Sequence, residues 1–293
     1  MMNRGTRVAL LASLLLLAGC SVTSSVANNE ALQSESNGMN GEDLVFEHQG
    51  IERTYKIYRP RNLPENEPML FALHGLGGKS EQMYRIGFNE LAEQHGFLAV
   101  YPQSLRKTVI LNRQQAKMVG LDLDKLCQSN KPSDDWMKYV CVDGKAVSTA
   151  GNVRWNDTGT DNGEDDVSFL SELAVYLQDR YQLNPEKTFV SGMSNGAYMS
   201  YTLMCQAGDV FKGAAPVAGL SEYSILNNCD PQGQKPLLHI HGVDDGLVPI
   251  TGKRSKGGKK SSSPSVEELV VYFAKLNNSA KKETIKATQN ATL

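Results

Sequence analysis

Short apolar runs alternate with longer helical patterns through the body of the chain. The run from Met69 to Leu73 is continuously apolar, which is typical of a strand covered on both faces of its sheet. The stretch from Leu44 to Tyr58 predicts a hairpin with its turn at Gln49-Gly50. Further short strands are predicted at Phe97–Tyr101, Phe189–Ser191, Gly213–Val217 and Leu237–Ile240.

Helical patterns fall between these strands. Ser80 is predicted to cap a helix that runs to Gln94. From Glu164 onward, apolar residues at three- and four-residue spacing define one helical face, and Asn184-Pro185 ends that helix.

A last helix is predicted to open at Ser265, with Glu268 in the register of a capping box, and to close near Leu276. Strands that alternate with helices in this way predict an α/β fold. We expect a mostly parallel sheet with helices on both faces, in one domain.

The segment from Ser104 to Val153 breaks this rhythm, since it is polar and irregular. We interpret it as an insertion (residues 104–153) over the sheet. It either lines a substrate cleft, with Trp136 or Trp155 as a stacking surface for a ring, or forms a surface excursion pinned by a disulfide.

The charge of the chain excludes one class of partner. Thirty basic residues are balanced by thirty-two acidic ones, so the formal net charge is −2 and no global basic field attracts nucleic acid. At 293 residues and 40% hydrophobic content, the chain can bury one sizeable core.

The N-terminus has the pattern of an export signal. Arg4 and Arg7 precede an apolar run from Val8 to Ala18 that is too short to span a bilayer. The run ends in Leu-Ala-Gly-Cys, which resembles the bacterial lipobox and predicts lipidation of Cys20. A soluble secretory signal with an incidental cysteine is the alternative.

These patterns divide the chain into three parts. Residues 1–19 are the predicted lipoprotein signal peptide, and residues 20–42, rich in Ser, Asn, Thr and Glu, form a flexible tether. Residues 43–293 form the globular body, with a polar, disordered tail at residues 277–293. The expected location is the bacterial cell envelope, bound through the lipid anchor, or the extracellular space.

Export implies an oxidising compartment, so the four other cysteines are expected to form disulfides. Sequence proximity favours Cys127 with Cys141 and Cys205 with Cys229, although three connectivities are possible. No Cys and His cluster has the spacing of a zinc site, and we predict no metal and no cofactor.

Residues 192–196 spell GxSxG after a short strand and before a helical run. This is the sequence form of a nucleophile elbow, in which a sharp strand-to-helix turn exposes a serine and requires near side-chain-free neighbours. Ser194 is therefore the predicted nucleophile, and the backbone N–H of Asn195 is one predicted oxyanion donor.

Two other segments supply candidates for acyl transfer. The glycine-rich run from His74 to Gly78 follows a strand and can direct the N–H of Leu76 to the same oxyanion. After the predicted strand at residues 237–240, Asp244 and Asp245 stand where the orienting carboxylate of such a fold belongs, and local sequence alone does not separate a solvated loop acid from a functional one.

Five motifs occur in one order along the chain. They are HGxGG at His74–Gly78, DDVxFL at Asp165–Leu170, GMSNGAYM at Gly192–Met199, APVAG at Ala215–Gly219 and HGxxDxxVP at His241–Pro249. Together they resemble the motifs of the polyhydroxybutyrate depolymerase-like family, which includes feruloyl and acetylxylan esterases, over roughly residues 43–276. The resemblance implies an α/β-hydrolase fold, cleavage of carboxylic esters by a Ser-Asp-His triad, and Asp245 as the acid.

The triad base has no candidate in the expected place. In the chain order Ser, Asp, His, the histidine follows the acid, but none follows Asp245 here. The family carries it in a later GHxxPG segment, so we expect a chain cut short at its C-terminus, with impaired activity. The five histidines are His48, His74, His95, His239 and His241.

The predicted function is an exported serine esterase that acts on polyhydroxyalkanoate oligomers, or on feruloyl or acetyl esters of plant polysaccharide, through an acyl-enzyme. Its partners are then an ester substrate and the membrane that holds its lipid anchor. Two alternatives remain open: a non-catalytic lipoprotein that keeps the hydrolase body as a binding module, and a serine peptidase of the prolyl oligopeptidase type.

Overall fold

A six-stranded sheet organises the chain in this computed structural model, which describes residues 40–107, 110–118, 120–129, 131–134, 138–148, 152–158, 164–252 and 262–279. The strands are β1 (Leu44–His48), β2 (Ile51–Tyr58), β3 (Met69–Leu73), β4 (Leu98–Pro102), β5 (Arg106–Lys107), β6 (Ile110–Leu111), β7 (Tyr139–Val142), β8 (Lys145–Ser148), β9 (Asn152–Val153), β10 (Thr188–Met193) and β11 (Gly213–Val217). The helices are α1 (Ser80–Tyr84), α2 (Phe88–His95), α3 (Arg113–Met118), α4 (Leu123–Ser129), α5 (Asp166–Tyr181), α6 (Asn195–Gln206), α7 (Tyr223–Leu226) and α8 (Val266–Leu276).

The main sheet has the strand order β1-β2-β4-β3-β10-β11. β1 and β2 form the predicted hairpin, and β2 also pairs antiparallel with β4. The pairs β4–β3, β3–β10 and β10–β11 are parallel. The sheet is thus mostly parallel, with strands and helices alternating in sequence, and the predicted α/β class is confirmed.

Both faces of the sheet are covered. Along β3, Phe71 and Leu73 join the larger apolar cluster, which includes residues of α5, α6 and α8. Ala72, between them, points to the opposite face and packs with Met83 of α1 and Ala92 of α2. This alternation within a continuously apolar strand is what a sheet between two helical layers requires.

Two details of the predicted elements are wrong. The helix expected from Ser80 to Gln94 is two short helices, because the chain breaks at Gly87, whose φ is 102°. The N-cap of the first helix is Lys79, whose backbone N–H donates to the Gln82 side chain (2.9 Å), while Ser80 is already helical.

The predicted strand at residues 237–240, which we call the edge segment, forms only two isolated parallel bridges with β11. The N–H groups of Ala214 and Ala218 donate to this part of the chain, at 3.1 and 2.9 Å. Pro216 stands between them and has no N–H to continue the ladder. The edge segment therefore runs beside β11 with an interrupted ladder of backbone hydrogen bonds. Pro216 belongs to the APVAG motif, so the cause of this interruption was already visible in the sequence.

The insertion holds two small sheets, β5–β9 and β6–β8–β7, together with α3 and α4. The disulfide Cys127–Cys141 joins α4 to β7, and Cys205–Cys229 joins the last turn of α6 to the residues after α7. These are the two pairs that sequence proximity favours. With loops of 14 and 24 residues, each is expected to stabilise the fold by about 3 kcal/mol.

Several predictions lie outside the described residues and stay predictions. They concern the signal peptide, the lipidation of Cys20, most of the tether, Trp136 in the insertion, and the tail beyond residue 279. The capping box at Ser265 and Glu268 is present at the start of α8.

Candidate active site

Ser194 lies at a sharp turn between β10 and α6. Its φ and ψ are 54° and −117°, a conformation that non-glycine residues rarely adopt. Its N–H donates to Val217 O on β11 (2.9 Å), and its carbonyl accepts the N–H groups of Ala197 and Tyr198. Within the described residues its half-buried hydroxyl has no hydrogen-bond partner, and the backbone that carries it is strained.

The two glycines of the motif are required by the close approach of α6 to the sheet. A β-carbon on Gly192 would lie 3.0 Å from the Gly196 α-carbon and closer still to its carbonyl group. A β-carbon on Gly196 would lie 2.7 Å from His74 O and closer still to Leu73 O. Because these contacts are with backbone, neither site can accept a side chain without movement of the helix or β3.

The predicted oxyanion donors flank this turn. Gly75 lies beside the serine, since a β-carbon on it would be 3.5 Å from Ser194 Cβ. Gly77, with a φ of 71°, turns the chain and donates its N–H to Val153 O (2.7 Å). The N–H groups of Leu76 and Asn195 have no acceptor among the described residues, so both are free to bind an anionic oxygen.

Trp155 was weighed as a stacking surface for substrate, and that interpretation is wrong. The side chain is fully buried, and its indole N–H donates to His74 O (2.9 Å). Its backbone N–H donates to the Asn195 side chain (2.8 Å), whose amide donates back to the Trp155 carbonyl (3.3 Å). Trp155 therefore ties the glycine-rich turn to the start of α6, a role that no sequence motif indicated.

Asp245 is the more constrained of the two candidate acids. Its Oδ1 accepts the N–H groups of Leu247 and Val248, both at 2.9 Å, whereas Asp244 is exposed. The Val248 and Leu247 hydrogen bonds hold the pKa of the Asp245 carboxyl below its usual range. Asp245 follows the edge segment, so it lies at the same carboxyl edge of the sheet as Ser194.

The five histidines all lie in the described part of the chain, and none hydrogen-bonds to Ser194. His74 is buried, with Nδ1–H donating to Gly75 O (2.7 Å) and Nε2 accepting the Ser104 N–H (3.1 Å). Burial also lowers the pKa of this imidazole. Both nitrogens are occupied, so His74 holds the turn together and has no free nitrogen to take the serine proton.

His241 belongs to a series of hydrogen-bonded groups at the end of the edge segment. Since Val248 O can only accept, His241 Nε2 must donate to it (2.7 Å), which leaves Nδ1 to accept from His239 Nε2 (3.1 Å). His239 Nδ1 then accepts the Tyr201 hydroxyl (2.6 Å). These hydrogen bonds link α6 to the turn that holds Asp245. The Asp245 Oδ2 atom lies 3.7 Å from His241 Nε2.

We predict a stability change with pH from His239. Burial, and then the charge of His241, lower the pKa of His239 from 6.5 to about 4. As the pH falls, His239 takes up a proton at a higher pH in the unfolded state than in the folded state. Its contribution to the free energy of unfolding is therefore complete above about pH 6.5 and is lost as the pH falls to 4. The shift is worth about 3 kcal/mol at most, and solvent screening of this partly exposed ring reduces it to about 1 to 2 kcal/mol.

Urea unfolding of the wild type and of His239→Gln between pH 7 and 4 measures this effect. Glutamine can still accept from Tyr201 and donate to His241, but it cannot be protonated. We expect the wild type to lose about 1 to 2 kcal/mol more than the variant over this interval. Parallel pH profiles would contradict the assignment.

No group of three or more His, Cys, Asp or Glu side chains in the described residues is placed to hold a metal ion. No helix among them has the length and hydropathy of a membrane span.

Comparison with known proteins gives both a family profile and individual relatives. The profile of the prolyl oligopeptidase family matches residues 137–226. A bifunctional acetylxylan esterase/xylanase of Neocallimastix patriciarum is 23% identical over 68% of the chain, and a probable feruloyl esterase C of Aspergillus clavatus is 30% identical over 37% of it. Poly(3-hydroxyalkanoate) depolymerase C of Paucimonas lemoignei is 26% identical over 55% of the chain.

The chain spans 22%, 39% and 30% of the lengths of these three relatives. Among solved structures, a thermostable esterase superimposes with a TM-score of 0.50 at 16% identity, over 80% of this chain and 52% of that one. At this identity the likeness concerns the fold alone.

Proposed function

Since this chain has the α/β-hydrolase fold and is a homologue of acetylxylan and feruloyl esterases and of a poly(3-hydroxyalkanoate) depolymerase, we propose that it is a serine esterase. These relatives are of the kinds that the motifs predicted, and the mostly parallel sheet with helices on both faces agrees with the predicted fold. The homologues support carboxylic ester hydrolysis in general. The residue roles given below are proposals for this chain.

The observation that carries the proposal is the free hydroxyl of Ser194 on a strained elbow, with two unpaired N–H groups beside it. Its Oγ attacks the ester carbonyl carbon, and the oxygen that becomes negative accepts hydrogen bonds from Leu76 N–H and Asn195 N–H. The alcohol then leaves and an acyl group stays on Ser194. Water releases that acyl group as a carboxylic acid in the second half of the reaction.

The proton of the Ser194 hydroxyl needs a base, and no described residue forms a hydrogen bond to that hydroxyl. Asp245 is the proposed acid that orients a histidine, but none of the five histidines forms a hydrogen bond to Ser194. We therefore expect a polypeptide of these 293 residues to form the acyl-enzyme slowly and to release it slowly. Free imidazole in solution can take the place of a missing base.

The test is acylation of Ser194 by p-nitrophenyl butyrate. We expect one butyryl group on the peptide that contains Ser194, seen by mass spectrometry, because nitrophenolate leaves more readily than the acyl group is hydrolysed. Imidazole alone also cleaves p-nitrophenyl esters, so the rate without protein is subtracted. Above that background, added imidazole is expected to raise nitrophenolate release by about tenfold or more in the wild type, and by much less in Ser194→Ala. Equal release in the two proteins, with no labelled peptide, would refute the esterase proposal and leave the binding module.

One observation supports the peptidase alternative: the match to the prolyl oligopeptidase family covers the elbow. A fluorogenic dipeptide amide offered under the same conditions separates the two. We expect no Ser194-dependent cleavage of the amide, because the relatives named above are esterases. Faster cleavage of the amide than of the ester would reverse this assignment.

The finer statements of location also remain proposals. The two disulfides are typical of an oxidising compartment, which supports export. The basic residues, the short apolar run and the lipobox-like sequence before Cys20 support a lipid anchor in the bacterial envelope. Metabolic labelling with a fatty-acid analogue, lost in Cys20→Ala, is the corresponding measurement.

Polyhydroxyalkanoate oligomers and polysaccharide-linked esters are the proposed substrates.

A further inference from the structure

A cavity of about 430 Å³ opens beside the elbow, between the glycine-rich turn and the pair of helices α1 and α2. It reaches the elbow through Gly75 and Met193, and Ser194 follows Met193 directly. Apolar side chains supply most of its wall. They are Leu76, Met83, Ile86, Phe88, Met193 and Val217.

Three of these apolar side chains are unusually exposed. Leu76, Ile86 and Met193 are 41%, 56% and 51% exposed, and all three border this one cavity. A cluster of exposed apolar groups around a concave site is typical of a surface that binds a ligand. The break at Gly87 between α1 and α2 places Ile86 and Phe88 at this wall.

Two polar side chains of the wall already form hydrogen bonds. The Ser191 hydroxyl donates to Ala215 O (2.8 Å), and Gln82 Oε1 accepts the Lys79 N–H (2.9 Å). His74 is the single ionisable residue of the wall. Its imidazole is neutral because Nε2 accepts the Ser104 N–H, and burial lowers its pKa. The wall thus holds no Asp, Glu, Lys or Arg side chain, so a ligand with a carboxylate or an ammonium group in this space would lose hydration without gaining an ion pair.

The position of the cavity decides which half of an ester it would hold. The leaving alcohol takes its proton from the base, and the base must contact Asp245, which lies beyond β11. Most of the cavity wall comes from the ends of β3 and β10 and from the helices that follow β3, which are farther from the edge segment than β11 is; Val217 is the one wall residue from β11. The group that enters it is therefore the acyl group that stays on the serine.

From these observations we infer that the cavity is the acyl pocket, and that it selects esters with an uncharged, apolar acyl group of about five or more carbons, or a ring. This inference rests on the proposed esterase function. An acetyl group would fill little of a space that corresponds to about fourteen water molecules in the liquid. Each additional buried methylene increases affinity about fourfold.

The experiment measures the dissociation constants of methyl acetate, methyl hexanoate and methyl 3-phenylpropanoate by ligand-observed NMR. The full chain is used with Ser194→Ala, so that no ester is consumed. We expect methyl hexanoate and methyl 3-phenylpropanoate to bind at least about tenfold more tightly than methyl acetate. Equal dissociation constants would overturn the inference.

Ile86→Trp in the same background is expected to remove most of this difference, because the larger ring fills the mouth of the cavity. The matched control is Val175→Trp on α5, which is 52% exposed and lies away from the cavity, and it should leave the difference unchanged. An unchanged difference in Ile86→Trp would also overturn the inference.

The same proteins with Ser194 restored separate the two proposals. Acylation of Ser194 together with equal binding of all three esters would refute the acyl pocket and leave the esterase. Graded binding without acylation would refute the esterase, and with it the acyl role of the cavity.

Discussion

Replacement of Asp166 by alanine is expected to lower the free energy of unfolding by about 3 to 5 kcal/mol. The carboxylate is fully buried, with Oδ1 accepting from Arg53 (2.7 Å) and Oδ2 from Lys107 (3.3 Å) and the Asn156 N–H (2.7 Å). Its loss would leave the buried Arg53 guanidinium, which stacks on Phe169, without its carboxylate partner. An uncompensated buried charge accounts for the size of the effect.

The neighbouring residue provides the control for this prediction. Asp165 is exposed and caps α5, accepting the Ser168 N–H at 2.9 Å, so Asp165→Ala is expected to cost only about 1 kcal/mol. Chemical unfolding monitored by circular dichroism compares the two variants. Similar losses in both would show that the buried network contributes no more than a helix cap.

The second large effect is expected for Gly196→Ala. The new methyl group would meet the carbonyl oxygens of Leu73 and His74, so α6 must move away from β3. That movement separates the N–H of Asn195 from that of Leu76. Misplacement of one oxyanion donor typically costs 10² to 10³ in rate, so we expect Ser194 acylation to fall by about a hundredfold or more. Stability is expected to fall by about 1 to 3 kcal/mol.

Gly246→Ala is the matched control for stability, since a β-carbon there would meet nothing within 4 Å. We expect its free energy of unfolding to stay within about 0.5 kcal/mol of the wild type. Acylation is measured from the burst of nitrophenolate and the labelled peptide. Wild-type acylation in Gly196→Ala would mean that the elbow tolerates the displacement and that these N–H groups do not act together.

The DDVxFL motif was recognised in the sequence, but the different roles of its two aspartates were not. It served only as a family marker at the level of sequence, yet one aspartate caps α5 and the next anchors β2 and the insertion to that helix. Nothing local distinguishes the two carboxylates. Their difference in burial comes from Arg53 and Lys107, which are distant in sequence.

Sequence alone determined those features whose physical cause is local. The elbow follows from two glycines around a serine between a strand and a helix, and the order of strands and helices predicted a mostly parallel sheet. Disulfide pairing also followed sequence proximity, since Cys127–Cys141 and Cys205–Cys229 close short loops. Ser194, Leu76 and Asn195 were predicted in this way, whereas the choice of Asp245 over Asp244 came from the family resemblance. The roles of all four residues stay predictions.

Only the tertiary structure decided what depends on contacts between distant segments. It buried Trp155 as the link between the glycine-rich turn and α6, where the sequence suggested a stacking surface. It occupied both nitrogens of His74 and of His241, which no spacing could reveal. It also placed an apolar cavity beside Ser194, because a break at Gly87 turns Ile86 and Phe88 toward the elbow. A side chain's chemistry is set by its neighbours, and those neighbours come from packing that no local pattern encodes.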